Sequence, residues 1–359
     1  MDFSLSSEQT ALADSVRRWA ERDYSFDARR ATVDSPSGIS DTAWGTFAEL
    51  GWLGAGLSEE AGGFGGGAVE NALIAEGLGR ALVVEPFIAN AVLTLQTLVA
   101  LGESALIESI VMGERKIALG HHETAGRGDP SHVETRAANS VLNGTKSLVL
   151  GAPSADALLV SARDEHGNGL YLVTLDAAGL TRHDYRLLDN SRVADLTLID
   201  VQGERIGSGD ALPAIFLGLD HATVTLCAEA VGAMDTALWM TRDYLKTRQQ
   251  FGQPIGNFQG LQFRMADMLV ELELARSMVY QGLAALSLRD PRERQRGVAA
   301  AKAMIGEAGL LIGRQAIQLH GGIGMTEEYA IGHYYKRLFV IAHLFGNSDA
   351  QVERFVALS

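Results

Sequence analysis

The spacing of apolar residues switches twice along the 359-residue chain, and that double switch limits the fold more than any single motif. Up to about residue 115 the period is helical. Leu12, Val16 and Trp19 share one helical face, and Trp44, Phe47, Leu50 and Leu53 recur at similar intervals. From about 116 to 206 the period is two: SLVL, ALLVSA, LYLVTL and ADLTLIDV read as strands parted by turns such as DEHGNG, and Asn143-Gly144 is a two-residue hairpin signal. From about 207 onward long helical periods return and stay, as a four-helix bundle requires. The pattern therefore predicts an α+β protein with a helical domain over 1–115, an antiparallel β-barrel or sandwich over 116–206 and a helical bundle over 207–359. The bundle helices are apolar on more than one face, so assembly through the bundle is expected.

Composition removes several function classes. A formal charge of −14 with no Lys/Arg run argues against a nucleic-acid partner. The single cysteine, Cys227, allows no internal disulfide and suits a reducing compartment. The N-terminus lacks a basic start and an unbroken apolar core, and Ser6 with Gln9 instead predicts a capping box. No stretch reads as the ~20 apolar residues a bilayer span needs. The longest candidate, near Phe87 to Met112, is interrupted by Gln96, Glu103 and Glu108. A soluble cytoplasmic protein without membrane contact is expected. The glycine-rich EEAGGFGGGAVE lacks the Gly-Lys-Ser/Thr ending of a phosphate loop and reads as a connection. His121 and His122 have no metal-like partner spacing, so no metal site is expected.

Three C-terminal stretches stand out. In TRQQFGQPIGNFQGLQ, residues 247–262, Arg248 sits near a helix end and Pro254 stops the helix. Taken alone, Arg248 is better explained as a solvated charge at a helix C-terminus, favoured by the helix dipole. In QLHGGIGMTEEY, residues 318–329, Gly321-Gly322 either close one helix, with Thr326 capping the next, or let backbone N–H groups approach a phosphate. In HLFGNSDAQ, residues 343–351, a helix ends at Leu344 and Ser348 is placed to cap a last short one.

These stretches, the α–β–α order and LNGTKSLVLGAPSADALLVSAR occur together in a sequence that resembles the acyl-CoA dehydrogenase family over essentially its whole length. Within it the chain looks most like the small subunits of two-component bacterial enzymes such as pimeloyl-CoA dehydrogenase. The resemblance implies FAD held between the β-domain and the bundle and reaching a neighbouring subunit. Arg248 would meet the pyrophosphate and Phe251 would pack near the adenosine. Gln259, Gln318, Gly321, Gly322 and Asn347 would complete the cofactor set, and Leu148, Val149 and Leu150 would lie against the isoalloxazine. It also implies an acyl-CoA substrate, an electron-transfer flavoprotein or similar acceptor, and a glutamate base. Here the two base positions of the family hold Phe345 and Ala222, so no catalytic residue is assigned. Thr223 replaces a substrate arginine, Gly128 replaces the serine of the TEPxAGSD-like loop HETAGRGD, and Leu148 and Leu150 replace tryptophan and threonine. Asp220, Glu229 and Asp349 are poorer bases than one supplied by a homologous catalytic subunit. A non-catalytic FAD or acyl-CoA scaffold, and a self-sufficient flavoenzyme with an unusual base, are the alternatives.

Overall fold

A computed structural model describes residues 4–359. Six helices come first: α1 (Ser7–Asp23), α2 (Phe26–Asp34), α3 (Asp41–Glu49), α4 (Ala68–Arg80), α5 (Leu95–Leu101, continuing a π-helical stretch from Phe87) and α6 (Ser104–Val111). The strands are β1 (Ile117–Gly120), β2 (Arg136–Ala138), β3 (Val141–Leu150), β4 (Ala157–Asp164), β5 (Gly167–Thr174), β6 (Leu180–Arg186), β7 (Arg192–Gln202) and β8 (Glu204–Ile206). Helices α7 (Leu212–Thr247), α8 (Gln259–Leu286), α9 (Pro291–His320), α10 (Ala330–His343) and α11 (Ser348–Ala357) complete the chain. The helical, β and helical segments of the expected architecture are all present. The predicted capping box at Ser6 and Gln9 opens α1.

The chain packs as two compact units. One holds the described residues up to Arg30, Ala72–Val83 and Thr223–Ser359; the other holds Ala31–Asn71 and Val84–Ala222. In the second unit the strands form an eight-stranded sheet in the order β6-β7-β3-β2-β4-β5-β8, with β1 on β4. The sheet is mixed, not purely antiparallel, because β1 and β2 both run parallel to β4. Its core is built from Leu142, Val149, Leu158, Val160, Val173 and Leu196.

The Asn143-Gly144 hairpin expectation is wrong. The β2–β3 turn is Asn139-Ser140, both at positive φ as a tight two-residue hairpin needs. Asn143-Gly144 lies within β3 at a register shift against β7. Asn143 clasps Asp200 through two hydrogen bonds of 2.9 and 3.0 Å. Gly144 is required there because a Cβ would come within 2.6 Å of Thr135.

In the first unit α9 packs against α8, α10 and α11 and buries Val298, Ile305, Ile312 and Leu319. Asp290 caps α9 by accepting from the Arg292 N–H, and Pro291 opens its first turn. Contrary to the reading that no stretch could span a bilayer, α7 is long and apolar enough by composition. However, 78% of its most apolar window is buried within the protein, which marks it as a core helix. On α8, Phe263, Val270 and Leu274 are exposed. Trp239, Leu245 and Met265 line an open groove, and exposed apolar side chains of this kind suit the expected assembly.

Candidate functional site

The end of α7 builds the first sequence-predicted segment. The Arg248 N–H donates to the Tyr244 carbonyl at 2.9 Å, and the Arg248 carbonyl accepts from Ile255 N–H at 2.8 Å. Between them Gln249-Gln250 pairs with Gln253-Pro254 around Phe251 and Gly252, both at positive φ. The Arg248 side chain is exposed and makes no hydrogen bond or ion pair among the described residues. Phe251 is 90% exposed, and its ring meets that of Phe258 edge-on. Gln259, the first residue of α8, is exposed as well.

The second segment follows α9. Gln318, Gly321 and Gly322 are exposed, and Gly321 has φ +63°. A Cβ at either glycine would meet nothing within 4 Å, so the backbone there faces open space. The structure joins this turn to the Arg248 turn through rings: His320 stacks on Tyr244 at 4.5 Å and touches Tyr329 at 5.3 Å. Thr326 does not cap the next helix; its hydroxyl donates to Ile323 and the cap position is Tyr329.

The third segment is the turn between α10 and α11. Phe345 is half-buried with φ +56°, a conformation unusual for a residue with a large side chain. Asn347, not Ser348, caps α11, its Oδ1 accepting from the Ala350 N–H at 3.0 Å. Ser348 is inside the helix and its hydroxyl donates to the Ala303 carbonyl. Beneath the turn lies Lys302, fully buried, its Nζ donating to Ala342 O at 3.2 Å and Gly346 O at 3.1 Å. Gln351 donates to the Phe345 carbonyl. The sequence reading missed this brace, because a lysine in AAAKAMIG looks like a surface charge until α9 is packed. Burial depresses the Lys302 pKa and pushes the nearby Cys227 thiol up to about 12, which leaves that cysteine unreactive.

The carboxylates considered as substitute bases differ in their surroundings. Glu229 forms a two-pronged ion pair with Arg337 at 2.6 and 2.7 Å. Asp349 is exposed in the first turn of α11. Ala222 is fully buried, as are Asp220 and Thr223 nearly so.

In the β-bearing unit the HETAGRGD loop is pinned from below. Lys146 Nζ contacts Glu123 at 2.6 Å and Ser161 Oγ at 2.9 Å. Glu123 also accepts from Glu134 N–H and from the N–H and hydroxyl of Thr135. With His132 and Glu134 it brings possible ligand atoms within 4.8 Å of one another, but its oxygens are already engaged by these donors. Gly128 has φ +92° and open space around it. His122 is exposed, whereas His121 is buried with Nδ1 on Ser161 Oγ and Nε2 donating to the Pro130 carbonyl. Leu148 is at φ +54°, where β3 shifts register between Lys146 and Val149. Its N–H donates to Asp195, which also accepts from the Tyr185 hydroxyl.

Burial, aided by the Lys146 charge, lowers the His121 pKa to about 4. A depressed folded-state pKa supports stability above the unfolded value near 6.5 that is lost as pH falls toward about 4, on the order of 3 kcal/mol. We expect thermal melts from pH 7 to 4.5 to show a falling midpoint, and His121→Gln to flatten the fall. An unchanged slope in that variant would remove His121 from the account.

Two family models match the chain: the acyl-CoA dehydrogenase N-terminal domain over residues 6–111 and the acyl-CoA dehydrogenase C-terminal domain over residues 212–357. A solved variant of the Tcur3481-Tcur3483 steroid ACAD superposes with a TM-score of 0.90 at 30% identity, covering 98% of this chain and 97% of that one. The chain belongs to the acyl-CoA dehydrogenase family. The probable acyl-CoA dehydrogenase YngJ of Bacillus subtilis (strain 168) is 29% identical, with 99% of this chain and 98% of YngJ covered. The structure of PigA with FAD and proline has a TM-score of 0.88 at 27% identity, covering 99% of this chain and 98% of PigA. Acyl-CoA dehydrogenases are FAD-dependent oxidoreductases, and the exposed segments suit that group. Arg248 offers an exposed guanidinium with no partner among the described residues, Phe251 an exposed phenyl ring, and Gly321-Gly322 a backbone turn open to close approach.

Proposed function

We propose that this acyl-CoA dehydrogenase is the base-lacking subunit of a heteromeric enzyme, akin to the small subunits of two-component bacterial dehydrogenases. The observation that carries the reading is Phe345. The turn is braced by Lys302, Gln351 and the Asn347 cap, and Phe345 stands in the sequence where the family resemblance would put the glutamate. The Tcur3481-Tcur3483 enzyme, itself named as a pair, is consistent with this reading. Its steroid substrate class is one candidate here.

The reaction is α,β-desaturation of an acyl-CoA thioester. FAD, when bound, supplies the hydride acceptor. This chain's part would be to hold it: Arg248 would meet the pyrophosphate, Phe251 would pack near the adenosine, and Gln259, Gln318, Asn347 and the Gly321-Gly322 backbone would contribute polar contacts. These side chains face outward, as residues that reach into a neighbour's site must. A homologous partner would contribute the glutamate base, and an electron-transfer flavoprotein or similar protein would be the electron acceptor.

The test is co-expression with a glutamate-bearing homologue, counting FAD per complex. Arg248→Ala should weaken FAD binding about tenfold, the size of one charge-assisted hydrogen-bonded contact. Arg248→Lys should recover part of it, because lysine keeps the charge and loses the fork. Unchanged flavin content in Arg248→Ala would leave Arg248 a helix-terminal surface charge and reject the reading.

A further inference from the structure

The geometry points to His320 as a positioning residue that fixes the Arg248 turn relative to the Gly321-Gly322 turn. This rests on the reading of those turns as an FAD-holding arm. His320 is the last residue of α9 and is 3% exposed. Its ring lies on Tyr244 with the planes 26° apart and meets Tyr329 on its other contact. Tyr244 is the residue whose carbonyl accepts the Arg248 N–H, so its placement passes directly to Arg248. On the other side His320 is bonded in sequence to Gly321, and Gly324 packs against its Cβ so closely that an added methyl would sit 3.1 Å away.

The orientation of the ring is also fixed. His320 Nδ1 is 2.8 Å from the Ala316 carbonyl, which can only accept, so Nδ1 carries the proton. In the neutral ring Nε2 is then a bare acceptor, and it is buried with no partner among the described residues. A phenylalanine would fill the same space without leaving a buried acceptor unsatisfied. A histidine kept only as filler has no reason to carry that cost. A histidine anchored to α9 by Nδ1–H holds the stacked plane, and with it Tyr244, in one orientation.

Positioning predicts coupling, because His320 acts through Arg248. In the full-length chain as it purifies, alone and co-expressed with a glutamate-bearing homologue, FAD affinity is read by flavin fluorescence quenching. His320→Ala should weaken binding about tenfold, within the coupling that contacting residues show. In an Arg248→Ala background the same change should cost about twofold or less. His320→Phe, which keeps the stack but not the anchor, should fall between wild type and His320→Ala. Equal losses in both backgrounds, or none in either, would overturn the role of His320 while leaving the arm intact. No loss from Arg248→Ala itself would overturn the arm, and the His320 role with it. If His320→Ala does not fold, Tyr244→Leu removes the same stack from the other side and must show the same non-additivity for the proposal to stand.

Discussion

Purified without a partner, the chain should dehydrogenate acyl-CoA thioesters at least about 10²-fold more slowly than a glutamate-bearing relative under the same assay. A positioned general base contributes roughly 10² to 10⁴ in rate. The α-proton of a thioester is too weakly acidic to leave without one. Here the turn presents Phe345, the second family position presents a buried Ala222, Glu229 is held by Arg337, and Asp349 faces solvent. The same argument predicts a gain. Phe345→Glu inherits a turn whose backbone carbonyls at Ala342, Phe345 and Gly346 are held by Lys302 and Gln351. The variant should therefore fold and should speed substrate-dependent flavin bleaching, measured anaerobically at 450 nm or so, on the order of 10²-fold over the parent. Robust turnover by the unmodified chain alone would sink the idea of a base supplied in trans.

The fold and the turns after Arg248 and at Gly321 were legible in the sequence for different reasons. Apolar period is a property of each segment, so the helical, β and helical blocks could be read without tertiary knowledge. The segments around Arg248 and Gly321 carry turn residues whose backbone demands are local, and the structure gives both the turns that were expected. Errors came where a local signal had two uses. Asn143-Gly144 fits a hairpin turn, but the positive φ it offers serves a strand irregularity against Thr135, and Asn139-Ser140 turns the chain. Ser348 and Asn347 are both good caps, and side-chain contact with Ala303 decided between them. Lys302, Glu123 with Lys146, and the Tyr244–His320 stack were invisible because each depends on residues far apart in sequence meeting in space. Sequence spacing carries no signal for such a pair.

Lys146→Met should destabilise the β-bearing unit by about 3–5 kcal/mol, the cost of removing one partner of a buried ion pair. Lys146 is fully buried, Glu123 nearly so, and their charged atoms lie 2.6 Å apart. Burial pulls Lys146 down to about 8, still ionised at neutral pH. Burial raises the Glu123 pKa, but the Lys146 hydrogen bond and charge, with the Thr135 and Glu134 donors, outweigh it and hold the carboxyl at about 2. Glu123 therefore contributes stability above its unfolded pKa near 4.3 that is lost as pH falls through about 2. Lysine runs the other way at the alkaline end: its depressed folded pKa means that buried charge is a cost below about 8, relieved as pH rises toward 10. Removing Lys146 strands an anion against Thr135 and backbone donors alone, so the loss should exceed that of the double variant Lys146→Met/Glu123→Gln, in which no charge remains. Urea unfolding of the four proteins of that cycle at pH 7 measures the coupling directly. A Lys146→Met cost under about 1 kcal/mol, the size of an exposed pair, would mean that the HETAGRGD loop is held by its backbone hydrogen bonds and not by the ion pair beneath it.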